Sequence, residues 1–183
     1  MDQDVLISRQ QFKSISLYSH EDGYLSFWYP TEWALQEFYS PHLTVQVVPD
    51  SRDPATNVTI EVKDLEEPLA EDEREIVVEG VREGLNILNA CHIERWIELD
   101  ESESGEWGLD WTCTFVDGGM RRRRRARLFF YSQYFYSVIC QGATDDHYKH
   151  WQGMFEFVML SAGVSEFPVS NWAIQQNWDE TLH

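Results

Sequence analysis

The sequence predicts an α+β domain in which a central antiparallel sheet is flanked by helices on both sides. Three observations predict it. The dipeptide Asp117-Gly118 lies between two long runs of strand-forming residues, the arrangement that closes a β-hairpin. Phe129-Phe130-Tyr131 and Tyr134 to Cys140 are nearly continuously apolar, as strands covered on both faces are. Apolar residues recur at helical spacing in two places, Val77, Val81, Leu85 and Leu88, and Tyr148, Trp151, Phe155 and Val158.

Along the chain, residues 1–22 read as a polar, irregular segment. Tyr24-Leu25-Ser26-Phe27-Trp28-Tyr29 is rich in β-formers and is closed by the turn Pro30-Thr31-Glu32-Trp33. Leu43 to Val48 and Val58 to Val62 follow as short strands, separated by the turn-forming Pro49 to Pro54, so the first part reads as a β meander. The acidic stretch from Asp64 to Glu75 leads into a helix near 70–89, with carboxylates where the N-terminal end of the helix dipole favours them. Gly80 and Gly84 weaken that helix in isolation and predict close packing on the sheet. Ile93 to Leu99 is a further strand, Asp100 to Gly105 a solvated loop, and a last helix spans about 144–160 with Thr144 or Asp145 as its N-cap.

The hairpin is the most specific prediction. A two-residue Asp-Gly turn pairs Val116 with Gly119, and so sets Asp110 opposite Arg125, Leu109 opposite Ala126 and Trp107 opposite Leu128. One face then gathers Trp107, Leu109, Trp111, Cys113, Phe115, Ala126 and Leu128, together with Arg122 and Arg124. The other carries Arg121, Arg123, Arg125 and Arg127.

At 183 residues, with 43% apolar and 14% aromatic content, the chain has material for one buried core. Residues 23–163 read as that domain, and 164–183 as a tail whose Phe167, Trp172, Ile174 and Trp178 dock on it or on a partner. No run of apolar residues is long enough to span a bilayer, and Met1-Asp2-Gln3-Asp4-Val5 lacks the pattern of a secretory signal, so a cytoplasmic location is expected. Cys91, Cys113 and Cys140 are odd in number and widely spaced, which predicts packed thiols rather than a disulfide or zinc site. The net charge of −18 opposes binding to nucleic acid and to anionic membranes. Six of the fourteen basic residues nevertheless fall within seven positions, Arg121 to Arg125 and Arg127.

The aromatic strand ending in Tyr29-Pro30-Thr31-Glu32-Trp33, the strand Asn57-Val58-Thr59-Ile60-Glu61-Val62, the helix, the three antiparallel strands and Trp151 in a last helix together resemble the PsbP-like and DcrB-like superfamily over residues 20–163. The resemblance implies an α/β/α sandwich and a mostly non-enzymatic function. That superfamily includes extrinsic photosystem subunits, a Ran-binding nuclear import factor and chaperones of type VI secretion effectors. It implies a chaperone or adaptor with a protein partner, and it supplies no catalytic motif to carry over; a homodimer is a further expectation for the chain.

Chemistry-bearing clusters are few. His147 and His150 stand three apart beside Asp145 and Asp146, a permissive spacing for a metal, but a helix start with capping acids and exposed histidines is the favoured reading. No nucleophile elbow, phosphate loop or Cys/His pairing is present, so neither an enzyme nor a cofactor is expected. The arginine strand admits three readings. Arg121, Arg123, Arg125 and Arg127, about 6.6–7 Å apart along one face, bind an acidic partner, with Trp172 and Trp178 as further anchors. Alternatively they are neutralised by Asp110, Glu106 and acids of the Ile93–Leu99 strand, the leading reading. The third is binding of nucleic acid, opposed by the net charge. A small-ligand protein or hydrolase with a pocket between sheet and helix is the alternative class.

Overall fold

The computed structural model describes residues 14–99 and 107–164. Within them the elements run β1 (Ile15–Ser19), β2 (Ser26–Pro30), β3 (Ala34–Phe38), β4 (Leu43–Val48), β5 (Asn57–Asp64), a single 3-10 turn (Glu71–Glu73), α1 (Arg74–Ile87), β6 (His92–Leu99), β7 (Trp107–Asp117), β8 (Met120–Tyr131), β9 (Tyr134–Gly142) and α2 (Asp145–Ser161). Seven strands form one sheet in the order β3-β4-β5-β9-β8-β7-β6, antiparallel throughout, while β1 and β2 pair as a separate two-stranded sheet.

Period-two alternation places a core on each face. Val45 and Val47 of β4, Val58 and Ile60 of β5, Phe129 of β8, and Tyr136 and Val138 of β9 pack on one side beneath Tyr148, Phe155, Val158 and Met159 of α2, with Leu25 and Phe27 beside them. The neighbouring positions Leu109, Trp111, Cys113, Phe115, Ala126 and Leu128 point to the other side, where Val77, Val81 and Leu85 of α1 and its C-cap Leu88 cover them. Each fully buried side chain of this size contributes about 1.5–3 kcal/mol. The helices thus lie on opposite faces, and the architecture is the expected α/β/α sandwich.

Four details depart from the expectation. The strand at 24–29 does not join the meander. As β2 it pairs with β1, which falls inside the stretch read as irregular, and Tyr18 stacks on Phe27 with centroids 4.9 Å apart. Its place beside β4 is taken by β3, over residues that follow the Pro30 turn. Both missed strands are five residues long, and no more than one residue in either is buried, so no alternation marks them.

Gly80 and Gly84 are exposed, and a Cβ at either meets nothing within 4 Å. Close packing is instead found at Gly142, where a Cβ would stand 2.4 Å from the Tyr148 nitrogen and 2.6 Å from the Thr144 carbonyl oxygen. That contact seats the first turn of α2, whose N-cap Thr144 accepts from the His147 N–H at 3.2 Å.

The hairpin register, finally, is slid by two. Asp117 pairs with Met120, so the central residues are Gly118 and Gly119, at φ 57° and 79°. Glycine occupies positive φ without steric cost, whereas Asp117 would pay for it, so the Gly-Gly pair takes the turn. Asp110 consequently faces Arg127, Leu109 faces Leu128 and Trp107 faces Phe130. Because the slide is even, every residue keeps its predicted face.

Candidate functional site

Arg121, Arg123, Arg125 and Arg127 share one face of β8, opposite Val116, Thr114, Thr112 and Asp110 of β7 in turn. Arg125 and Arg127 stand across from Cys140 and Val138 of β9, so the row lies on the α2 side of the sheet.

The row is tied down from its middle. Arg125 donates from Nε to Asp110 Oδ1 at 3.1 Å and from Nη2 to Oδ2 at 2.7 Å, the bidentate fork that a guanidinium makes with a carboxylate. Asp110 is only 5% exposed, and Arg125 also stands 3.7 Å from Glu156 of α2. Its hydrogen bonds to Asp110 draw the Arg125 pKa further up, against the opposing effect of burial.

Arg123 bridges two elements, reaching Glu94 of β6 and, at 3.5 Å, Asp145 of α2, with its guanidinium 5.5 Å from the centre of the Tyr148 ring. Glu94 follows Ile93, which stands opposite Cys113 on the α1 face, so alternation turns Glu94 toward the row, and the β6–β7 register shifts just there, between Ile93 and Arg95. Asp145 accepts from Lys149 at 2.6 Å. That bond, reinforced by the charges of Lys149, Arg123 and Arg121, holds its carboxyl below the ordinary value despite partial burial.

The two ends of the row differ. Arg127 lies over the Phe129 ring at 5.2 Å. Arg121 is exposed, and its guanidinium donates to the Thr114 hydroxyl at 3.2 Å. No carboxylate among the described residues lies within ion-pairing distance of it. On the opposite face Arg122 pairs with Asp117 at 3.0 Å, and Arg124 donates twice to the Gln141 side-chain oxygen, at 3.0 and 2.6 Å.

Of the acids expected to meet the arginines, Asp110 and Glu94 do so. Glu106 lies outside the described residues, as do Trp172 and Trp178. Asp145 and Glu156 were not anticipated, because nothing local relates α2 to β8. His147 and His150 part company: His147 Nδ1 stands 3.0 Å from Asp53 Oδ2, anchoring α2 to the β4–β5 connection, while the His150 ring meets Trp151 edge-on at 5.0 Å. No group of three or more His, Cys, Asp or Glu side chains suited to a metal occurs among the described residues. Burial pushes the Cys113 thiol up to about 12 and raises Cys140 further, so neither is a thiolate at neutral pH. The arrangement presents fixed positive charge rather than a nucleophile with its base.

No helix among the described residues is long and apolar enough to cross a membrane. No family model and no curated protein sequence matches the chain. Solved structures do. The solution structure of cyanobacterial PsbP (CyanoP) from Synechocystis sp. PCC 6803 is similar with a TM-score of 0.59 at 15% identity, over 82% of this chain and 92% of that one. LpqN, involved in cell envelope biogenesis of Mycobacterium tuberculosis, gives 0.55 at 12% identity, over 83% and 91%. PA94 of Pseudomonas aeruginosa, a protein of unknown function, gives 0.49 at 10%, over 79% and 93%. With a seven-stranded antiparallel sheet, a small second sheet and two helices among the described residues, the chain has a PsbP-like fold.

Proposed function

We propose that the protein is a non-catalytic protein-binding module, an adaptor or chaperone of the cytoplasm, and that its arginine face receives an acidic surface of the partner. The observation that carries this reading is the contrast within the row. Arg123 and Arg125 are held by carboxylates of the chain itself, whereas exposed Arg121, at the hairpin end, has a hydroxyl as its hydrogen-bond acceptor. The inner pairs brace the strand, which reduces the ordering cost when Arg121 meets a carboxylate. Trp172 and Trp178 supply aromatic anchors, since Trp and Arg are the residue types that dominate interface energies.

The fold supports the reading through the mostly non-enzymatic superfamily that the sequence resembles. The charge balance of the chain favours an acidic protein segment over nucleic acid, because one local cluster of cations does not offset −18 along a polyanion. Affinity purification of the tagged full chain from its source cell tests this. Recovery of one protein in near-stoichiometric amount is expected, and recovery of none above background contradicts the proposal.

A further inference from the structure

A cleft of about 820 Å3 opens at the end of the sheet remote from the β7–β8 turn, between the β1–β2 turn, the β3–β4 connection and the ends of β5 and β9. Its walls carry Asp22, Tyr24, His42, Lys63, Asp64 and Tyr134, and buried Leu43 and Val62 form an apolar base. Tyr24 and Tyr134, both on the lining, stack with centroids 5.7 Å apart and planes 15° from parallel, and they form the aromatic wall of the cleft.

Tyr24 and the Asp64 carboxylate are held in place. The Tyr24 backbone carbonyl accepts from the Tyr136 hydroxyl at 2.6 Å, and its ring lies 4.3 Å from that of buried His20. The Asp22 N–H points at His20 Nδ1 at 3.3 Å, which leaves Nε2 as the N–H that donates to the Tyr24 hydroxyl oxygen at 3.2 Å. Asp64 accepts from the Glu66 N–H at 2.8 Å and from the Gln133 amide at 3.3 Å. Around the cleft negative charge prevails. Burial first, then Asp22, Tyr134, Glu21 and Glu37, raise the Tyr24 hydroxyl above its ordinary value. Lys63 and His42 are the basic side chains on its lining.

We propose that this cleft binds an organic ammonium group, with the cation against the Tyr24–Tyr134 wall between Asp22 and Asp64 and its hydrocarbon over Leu43 and Val62. The chemistry selects that ligand on each side. An aromatic face attracts a cation through its quadrupole, most strongly one whose methyl or methylene groups shed water easily. An anion meets two carboxylates and a net charge of −18. A hard metal ion wants several oxygen ligands converging and gains nothing from tyrosine faces or an apolar base. The site shares no residue with the arginine face, so it stands or falls separately from the binding-module reading.

Choline and its neutral isostere 3,3-dimethylbutan-1-ol, titrated into the full chain with the Tyr24 and Tyr134 ring signals followed by NMR, test the proposal. Choline is expected to shift both rings saturably and to bind at least about tenfold more tightly than the isostere. Asp22→Asn and Asp64→Asn each weaken it about fivefold, and Lys63→Ala tightens it. A trimethyllysine peptide in place of choline separates the sources of the ammonium group: tighter binding assigns the site to a protein side chain, and equal or weaker binding to a free small molecule. Equal affinity for choline and the isostere, no response of either ring up to about 20 mM, or indifference to both asparagine variants overturns it.

Discussion

Asp110 is the residue on which the arginine face depends. It is buried, it holds Arg125 with both oxygens, and without it the carboxylate left to Arg125 among the described residues is Glu156 at 3.7 Å. Removing one partner of such a pair strands the other charge and costs about 3–5 kcal/mol, whereas replacing both with apolar groups is close to neutral. Asp110→Ala is therefore expected to lower the urea midpoint sharply, and adding Arg125→Met to recover most of the loss. A single variant within 1 kcal/mol of wild type shows that the pair does not brace the strand.

Asp145 gives the pH dependence. Its carboxyl lies below its ordinary value because of Lys149 first and Arg123 after it, so the unfolded chain takes up a proton at higher pH than the native one. The stabilisation is fully present above about pH 4, the unfolded value. It is lost as pH falls through the depressed native value. In acid titrations of stability, Asp145→Asn is expected to lose less than wild type below pH 4, and identical slopes refute the assignment. At this scale little was legible in advance. The hairpin pattern points to Asp110 as a partner, but Asp145 and Glu156 reach the row only through the packing of α2, a relation between segments that no spacing records.

Elements were legible where burial leaves a period. β4 and β5 alternate buried and half-buried residues and fall where the sequence places strands, as do both helices. β1 and β3 bury little and carry no such mark. The β7–β8 hairpin is the instructive intermediate: the alternation fixed which arginines share a face, while the register depended on which two residues of Asp117-Gly118-Gly119 adopt positive φ. Two glycine substitutions test this account of the elements. Gly119→Ala meets only the conformational cost of φ 79° in open space, about 1 kcal/mol. Gly142→Ala drives a methyl into the backbone at Thr144 and Tyr148, which cannot give without unseating α2, and is expected to cost about 3 kcal/mol. The reverse order in thermal denaturation contradicts it.

For the whole molecule, the sequence resemblance and the structural similarity agree on the fold, and the two cores explain why it tolerates so little sequence identity. Each face needs apolar residues of the right size at alternate positions rather than particular side chains. The cleft at the far end of the sheet was not legible, since its lining comes from four separated segments and Asp22 falls in the stretch 1–22 that reads as irregular. The arginine row was legible as a strand face but not as a graded one, braced inside and open at Arg121. The most direct measurement of the proposed binding role is the affinity of the co-purified partner for wild type, Arg121→Lys and Arg121→Glu at two salt concentrations. Because Arg121 is exposed, its substitutions should leave stability within about 0.5 kcal/mol. The account predicts binding retained in part by Arg121→Lys, weakened about tenfold or more by Arg121→Glu, and reduced for wild type at high salt. Equal affinity of wild type and Arg121→Glu would contradict it.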